Sequence, residues 1–201
     1  VVVFDAATRA PVACLRSSPG AGGARQAHAA FPDPRDRYIL VANQNGKLLE
    51  RIAADYATNT FTLEAAATLD LAGCTTPNGM PCESAALRPD NAPICPLLDD
   101  TGERSWVTLR GGGLFVVSVR DTPMRILAEY DRATVHPNGC GGSAVGGWMY
   151  VNSGGGTPMN LSEFDVYQFP LAGYRPTNPP NVPAPRLVLT RDAEPGRDAH
   201  R

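Results

Sequence analysis

The feature that most constrains this chain is an internal repeat. Short alternating apolar segments recur in sets of four, separated by turn formers. The clearest unit starts at Cys95-Pro96-Leu97-Leu98, turns at Asp99-Asp100-Thr101-Gly102, and continues through Ser105-Trp106-Val107-Thr108-Leu109. After the glycine turn 111–113 come the segment 114–119, a turn with Asp121 and Pro123, and a last segment at 124–130. Four strands joined by short turns make one antiparallel sheet. The preceding unit runs His28-Ala29-Ala30-Phe31, a turn at 32–36, Tyr38-Ile39-Leu40-Val41-Ala42, the hairpin signal Asn45-Gly46, then 48–52 and 61–66. The following unit runs 140–145, Gly146-Gly147, Trp148-Met149-Tyr150-Val151-Asn152, a glycine turn at 154–156, and 163–169. Its fourth strand is delayed to 186–190 by the proline-rich stretch 176–185. Residues 1–4 and 11–15 match the last two strands of a unit, so the chain is expected to begin in mid-repeat.

The interval from Cys95 to Cys140 is 45 residues, within the roughly 40 to 50 residues of a four-stranded propeller blade. The step from His28 to Cys95 is 67 residues, lengthened by an insert around Cys74 and Cys82. One such sheet cannot cover both of its own faces, so the repeats must stack radially. The predicted fold class is all-β: four-stranded antiparallel β-propeller blades in an incomplete ring. Residues 1–16 end one blade, 26–70 form a second, and 71–94 form a cysteine-containing insert loop. Residues 95–134 form a third blade, 140–190 a fourth with the proline-rich insert 176–185, and 191–201 start a further one. Rings typically need about four to eight blades, so more chain or further copies are expected to complete this one, unless the blades stack in an open form.

The segments His28-Ala29-Ala30-Phe31-Pro32-Asp33, Tyr38-Ile39-Leu40-Val41-Ala42-Asn43 and Leu114-Phe115-Val116-Val117 resemble blades of the seven-bladed YVTN and lactonase-like propellers. The resemblance covers most of the chain as a pattern and implies the propeller fold. It carries no catalytic motif onto these residues.

Composition narrows the function classes. Twenty Gly and 19 Pro in 201 residues leave little room for long helices. The net charge is −2, Lys47 is the one lysine, and no basic run offers a phosphate-binding footprint, so nucleic acid is not an expected partner. No apolar run approaches the ~20 residues of a membrane span. The start Val1-Val2-Val3-Phe4-Asp5 has neither an initiator Met nor a leader pattern, which reads as a soluble chain with a processed or truncated N-terminus.

The five cysteines form no CxxC pair and no familiar zinc spacing. Cys74 and Cys82 flank Thr75-Thr76-Pro77-Asn78-Gly79-Met80-Pro81, turn formers with no core of their own, where a local disulfide fits. Two free thiols in a cytosolic loop are the alternative. His28 and Cys95 take equivalent places in successive first strands, Cys140 is a near match, and His200 is expected to start the next unit in the same place. First strands line a propeller's axis, so these four could hold copper or zinc; the competing reading is a Cys95–Cys140 disulfide between neighbouring inner strands. His136 reads as a solvated turn residue in preference to a base. Ser143, Ser153 and Ser162 lack the nucleophile-elbow pattern.

Two functions remain. One is a secreted or periplasmic binding or scaffold protein, without cofactor, that recognises a protein or glycan through its loops and the 74–82 insert. The alternative is an enzyme at the channel mouth: a lactone hydrolase by the family resemblance, or a metal-dependent oxidoreductase using His28, Cys95, Cys140 and His200.

Overall fold

The computed structural model describes residues 1–154, 164–175 and 182–190. The described chain is all-β. Its strands are β1 (Val2–Phe4), β2 (Pro11–Cys14), β3 (Ala27–Pro32), β4 (Tyr38–Asn43), β5 (Leu48–Asp55), β6 (Thr60–Leu63), β7 (Leu69–Asp70) and β8 (Pro93–Leu98). They continue with β9 (Arg104–Leu109), β10 (Leu114–Ser118), β11 (Arg125–Tyr130), β12 (Gly142–Val145), β13 (Trp148–Gly154), β14 (Phe164–Pro170) and β15 (Arg186–Thr190). Four antiparallel sheets result: β1-β2; β3-β4-β5-β6 with β7 also paired to β5; β8 to β11 in order; and β12 to β15 in order.

The sheets stack because strands such as β4 and β10 are apolar on both faces. A strand turns successive side chains to opposite faces, and the buried residues sort by parity. On β4, Tyr38 and Leu40 join Val107 and Leu109 of β9 and Phe115 and Val117 of β10 in one core. The intervening Ile39 and Val41 turn the other way, with Ile52, against Val1, Val3 and Leu15 at the first sheet. Trp106, Leu114 and Val116 then face Met149, Val151, Tyr167 and Phe169 of the last sheet. Three cores between four sheets are the arrangement of an incomplete propeller. The end sheets expose apolar side chains: Val2 and Phe4 on β1, Val145 on β12, and Leu187, Val188 and Leu189 on β15.

Local chemistry moves some strand ends. The last sheet begins at Gly142 and not at Cys140, because the amides of Cys140 and Gly141 donate to Asn152 Oδ1 at 3.0 and 2.6 Å instead of joining the ladder. β6 stops at Leu63, where Ala65–Ala67 form a short 3-10 turn.

A repeated clasp ties neighbouring sheets at one end. In the β3–β4 turn, Arg37 Nε donates to buried Asp33 at 2.6 Å, and its Nη2 donates to the Thr101 carbonyl of the next sheet at 2.9 Å. At the start of β9, Arg104 Nη1 likewise donates to the Leu171 carbonyl of its next sheet at 2.8 Å. Tyr38 donates its hydroxyl proton to the Gly102 carbonyl. Gly102 sits at φ +65°, and a Cβ there would lie 1.8 Å from Asp33 Oδ1, so the clasp needs glycine.

Burial would raise the pKa of Asp33, but hydrogen bonds and charge from Arg37 outweigh it and hold the carboxyl below its ordinary value. Asp90 is likewise raised by burial, then lowered further by Arg110, the Ala92 amide and Lys47. Depressed carboxyl pKa values stabilise the fold at pH above the unfolded-state value near about 3.9, and that stability is lost as pH falls through the folded-state values. The urea midpoint is therefore expected to be level from about pH 7 to 5 and to fall below about pH 4. Asp33→Asn should lower the neutral-pH midpoint and flatten the acid limb, as a urea series at several pH values will show.

Candidate functional site

The longest connection between sheets, from β7 to β8, is folded as tightly as the strands it joins. Asp70 opens it, accepting the amides of Ala72 and Gly73 at 2.9 and 3.1 Å. Thr76-Pro77-Asn78-Gly79 forms a turn in which the Gly79 amide donates to the Thr76 carbonyl at 2.8 Å. Pro at the second position presets φ, and Gly79 at φ +77° closes the turn where an L side chain would be strained. The Thr76 amide donates to Met80, the Cys82 amide donates to Cys74, and a disulfide joins Cys74 to Cys82 with their Cα atoms 5.3 Å apart. The result is a stapled miniature hairpin.

Arg88 anchors this hairpin to the fold. Its side chain is buried, Nε donates to the Cys82 carbonyl at 2.9 Å, and Nη2 meets Glu129 of β11 at 2.7 Å. The guanidinium also lies 5.3 Å over the Phe115 ring. Glu129 accepts a second bond, 2.8 Å, from the side-chain amide of Asn78 at the hairpin tip. Further along, Asn91 donates to the Leu71 carbonyl at 2.8 Å, Lys47 pairs with Glu83 at 2.5 Å, and Arg110 pairs with Asp90 at 2.5 Å. Held from below, the hairpin presents Asn78, Gly79, Met80 and Pro81 to solvent, with Met80 46% exposed.

The first-strand residues are arranged differently. Cys95 and Cys140 are joined as a disulfide, Cα atoms 5.0 Å apart, linking β8 to the start of the last sheet. Their sulfurs are occupied by each other, so in this state neither is a thiolate ligand. His28 is exposed on β3, at an irregularity in its pairing with β4, and His200 lies outside the described residues. Among the described residues no group of three or more His, Cys, Asp or Glu converges to hold a metal ion. Cys14 is exposed and unpaired as a thiol.

One pairing was not visible in the spacing. His136 Nδ1 lies 2.6 Å from Asp165 Oδ2, and Asp165 is 1% exposed. Tyr167 also donates to Oδ2 at 3.2 Å, while the other carboxylate oxygen is buried without a partner. His136 is therefore not a free turn residue but a histidine oriented by a buried carboxylate, with Nε2 directed away from that contact. Burial, with Asp165 close by, pushes the Tyr167 hydroxyl up to about 12. The two partners are 29 residues apart, and neither Thr134-Val135-His136-Pro137 nor Phe164-Asp165-Val166 carries a local sign of the other.

No helix among the described residues is long and apolar enough to cross a membrane. No family model matches the chain, and no curated protein matches it. Solved structures similar to it include two of uncharacterised proteins. One is a functionally unknown protein from Desulfotomaculum acetoxidans DSM 771, with 15% identity, 81% of this chain and 40% of that chain covered, and a TM-score of 0.47. The other is a protein from Lactobacillus plantarum, with 15% identity, coverage of 81% and 43%, and a TM-score of 0.46. The chain spans less than half the length of each of these proteins.

Proposed function

We propose that this chain is a propeller-type binding protein of an extracellular or periplasmic compartment, and that it recognises another protein through the stapled hairpin and the loops beside it. The observation that carries this reading is the prior order of the hairpin. A disulfide and the buried Arg88–Glu129 pair fix it, so docking would sacrifice little chain entropy. Its exposed tip is Asn78, Gly79, Met80 and Pro81, with one large apolar side chain, Met80, and no aromatic platform. Such a surface suits a protein partner better than the stacking face of a sugar. Two disulfides fit an oxidising environment. Kinship with the YVTN and lactonase-like propellers belongs to the same proposal, resting on the segments 38–43 and 114–117.

The test is surface capture of proteins from the native extracellular fraction, run beside a glycan array, with wild type and Met80→Glu. Met80 is exposed, so the variant should fold normally. A protein partner should bind wild type and lose at least about tenfold in affinity to the variant. Equal binding by both proteins, or binding to glycans alone, would sink the reading.

The second reading, a channel-mouth enzyme, is favoured by one observation, the oriented His136–Asp165 pair, which has the geometry of a general base and its orienting acid. Lactone turnover abolished by His136→Ala would support it. The oxidoreductase form, with copper or zinc on His28, Cys95, Cys140 and His200, would require the Cys95–Cys140 bond to be reduced.

A further inference from the structure

The first strands of three successive sheets, β3, β8 and β12, are edge strands that lie side by side. Pro32 ends β3, Pro34 follows it, and Pro93 and Pro96 lie on β8. Proline has no N–H to give to a ladder, so these edges meet through side chains, and a groove of about 230 Å³ stays open between them. Phe31, Pro34, Leu98 and Ala144 form its apolar walls, each half-buried or exposed and so reachable from solvent. Gly142 lets β12 come this close to β8, since a Cβ there would lie 2.7 Å from Leu97 Cδ1. Among the residues that line the groove Asp100 alone is charged. It is exposed, and its carboxylate has no ion pair or hydrogen bond among the described residues. The acids around it are committed elsewhere: Asp33 and Glu103 face Arg37, while Asp99 accepts the Thr101 hydroxyl and the Glu103 amide at 2.8 and 3.0 Å. The bordering turns 32–37 and 99–104 carry five carboxylates against three guanidiniums, so the excess charge there is negative. Apolar walls that end at an unpaired carboxylate are complementary to an apolar stem that ends in a cation.

We propose that this groove binds an arginine side chain of a protein partner, with the guanidinium on Asp100 and the methylene stem along Pro34 and Leu98. A guanidinium meets a carboxylate through two parallel N–H bonds. It is also more weakly hydrated than a lysine ammonium, so it loses less on entering apolar surroundings. The stem covers apolar surface while the head keeps its charge at the rim. The inference rests on the protein-binding reading and adds a second contact surface to it. The hairpin packs on β10 and β11, whereas the groove borders β8, at the opposite edge of the same sheet.

The experiment titrates the intact chain, labelled with nitrogen-15, with N-acetyl-arginine amide and with N-acetyl-citrulline amide, its neutral isostere. The Ala144 amide signal should shift saturably with the arginine compound, with a Kd on the order of 10 mM. The citrulline compound should bind about fivefold more weakly, and the Gly79 amide, on the hairpin, should stay fixed with both. In Asp100→Asn the two compounds should bind alike, and this variant should melt with the wild type because Asp100 is exposed and unpaired. Ser143→Trp, at an exposed position on the edge strand β12, should abolish binding of both. No saturable Ala144 shift, equal affinity of the wild type for the two compounds, a preference for arginine kept in Asp100→Asn, or undiminished binding in Ser143→Trp would each overturn the groove. The two proposals fail separately. Arginine-amide binding with no protein partner captured keeps the groove and removes the protein-binding reading. A captured partner that is lost in Met80→Glu but unchanged in Asp100→Asn and Ser143→Trp keeps that reading and removes the groove from it.

Discussion

Arg88→Ala is expected to destabilise the chain by about 3 to 5 kcal/mol, the usual effect of removing one partner from a buried ion pair. Glu129, whose side chain is 8% exposed in the intact pair, would keep only the Asn78 amide as a partner and face the Phe115 ring where the guanidinium had been. The Cys82 carbonyl would lose its donor as well. At roughly 2 to 4 °C per kcal/mol for a chain of this size, the melting temperature should drop by about 10 °C. The double variant Arg88→Met with Glu129→Leu should recover much of this, because no charge is then stranded. Thermal melts of the two variants separate the cost of a stranded charge from the cost of lost packing. An Arg88→Ala protein as stable as wild type would mean that the insert is not held from below.

The second large effect is at Cys95–Cys140. This bond closes a 45-residue separation, and removing it by Cys95→Ala with Cys140→Ala should cost about 4 kcal/mol on the chain-entropy estimate. The Cys74–Cys82 bond closes a separation of 8 residues and should cost about 2.5 kcal/mol. Both are large against the ~5 to 15 kcal/mol of a typical domain. Their consequences should differ in kind. Loss of the long-range bond loosens the joint between the third and fourth sheets and should appear as a fall in global stability by urea unfolding. Loss of the short one should loosen the hairpin first, lowering partner affinity more than the urea midpoint.

Much of the fold was legible because propeller sheets write their burial into the sequence. In Tyr38-Ile39-Leu40-Val41 and Leu114-Phe115-Val116-Val117 both parities are apolar, and each parity faces a different neighbouring sheet. Turn chemistry marked the joints, although Asn45-Gly46 closes a four-residue connection between Asn43 and Leu48, with the left-handed residue at Lys47, φ +53°. There the Asn43 side chain accepts the Gly46 amide at 3.3 Å and the Gln26 amide at 2.9 Å, drawing the turn toward the preceding loop. Such a tertiary preference is absent from a dipeptide rule.

The candidate site was legible only in outline. The cysteine pair and Pro77-Asn78-Gly79 marked a closed loop, but nothing local to Arg88 announces Glu129, which comes from a strand of the next sheet. His136 and Asp165 pose the same difficulty. Pairings of this kind depend on how sheets are stacked, whereas strand patterns depend on residues one or two positions apart. The position shared by Cys95 and His28 in first strands was informative about topology, since both fall at pairing irregularities, and less so about chemistry.

Amide hydrogen exchange across residues 71–92, in the oxidised protein at neutral pH, tests the central claim that the insert is a preformed recognition surface. The account predicts that the amides of Thr76, Gly79, Cys82 and Arg88, each bonded to a backbone carbonyl, exchange far more slowly than an unstructured chain and lose protection in Arg88→Ala. Exchange at the unprotected rate throughout the segment, while β9 and β10 stay protected, would contradict it: the insert would then be a flexible loop on a stable scaffold.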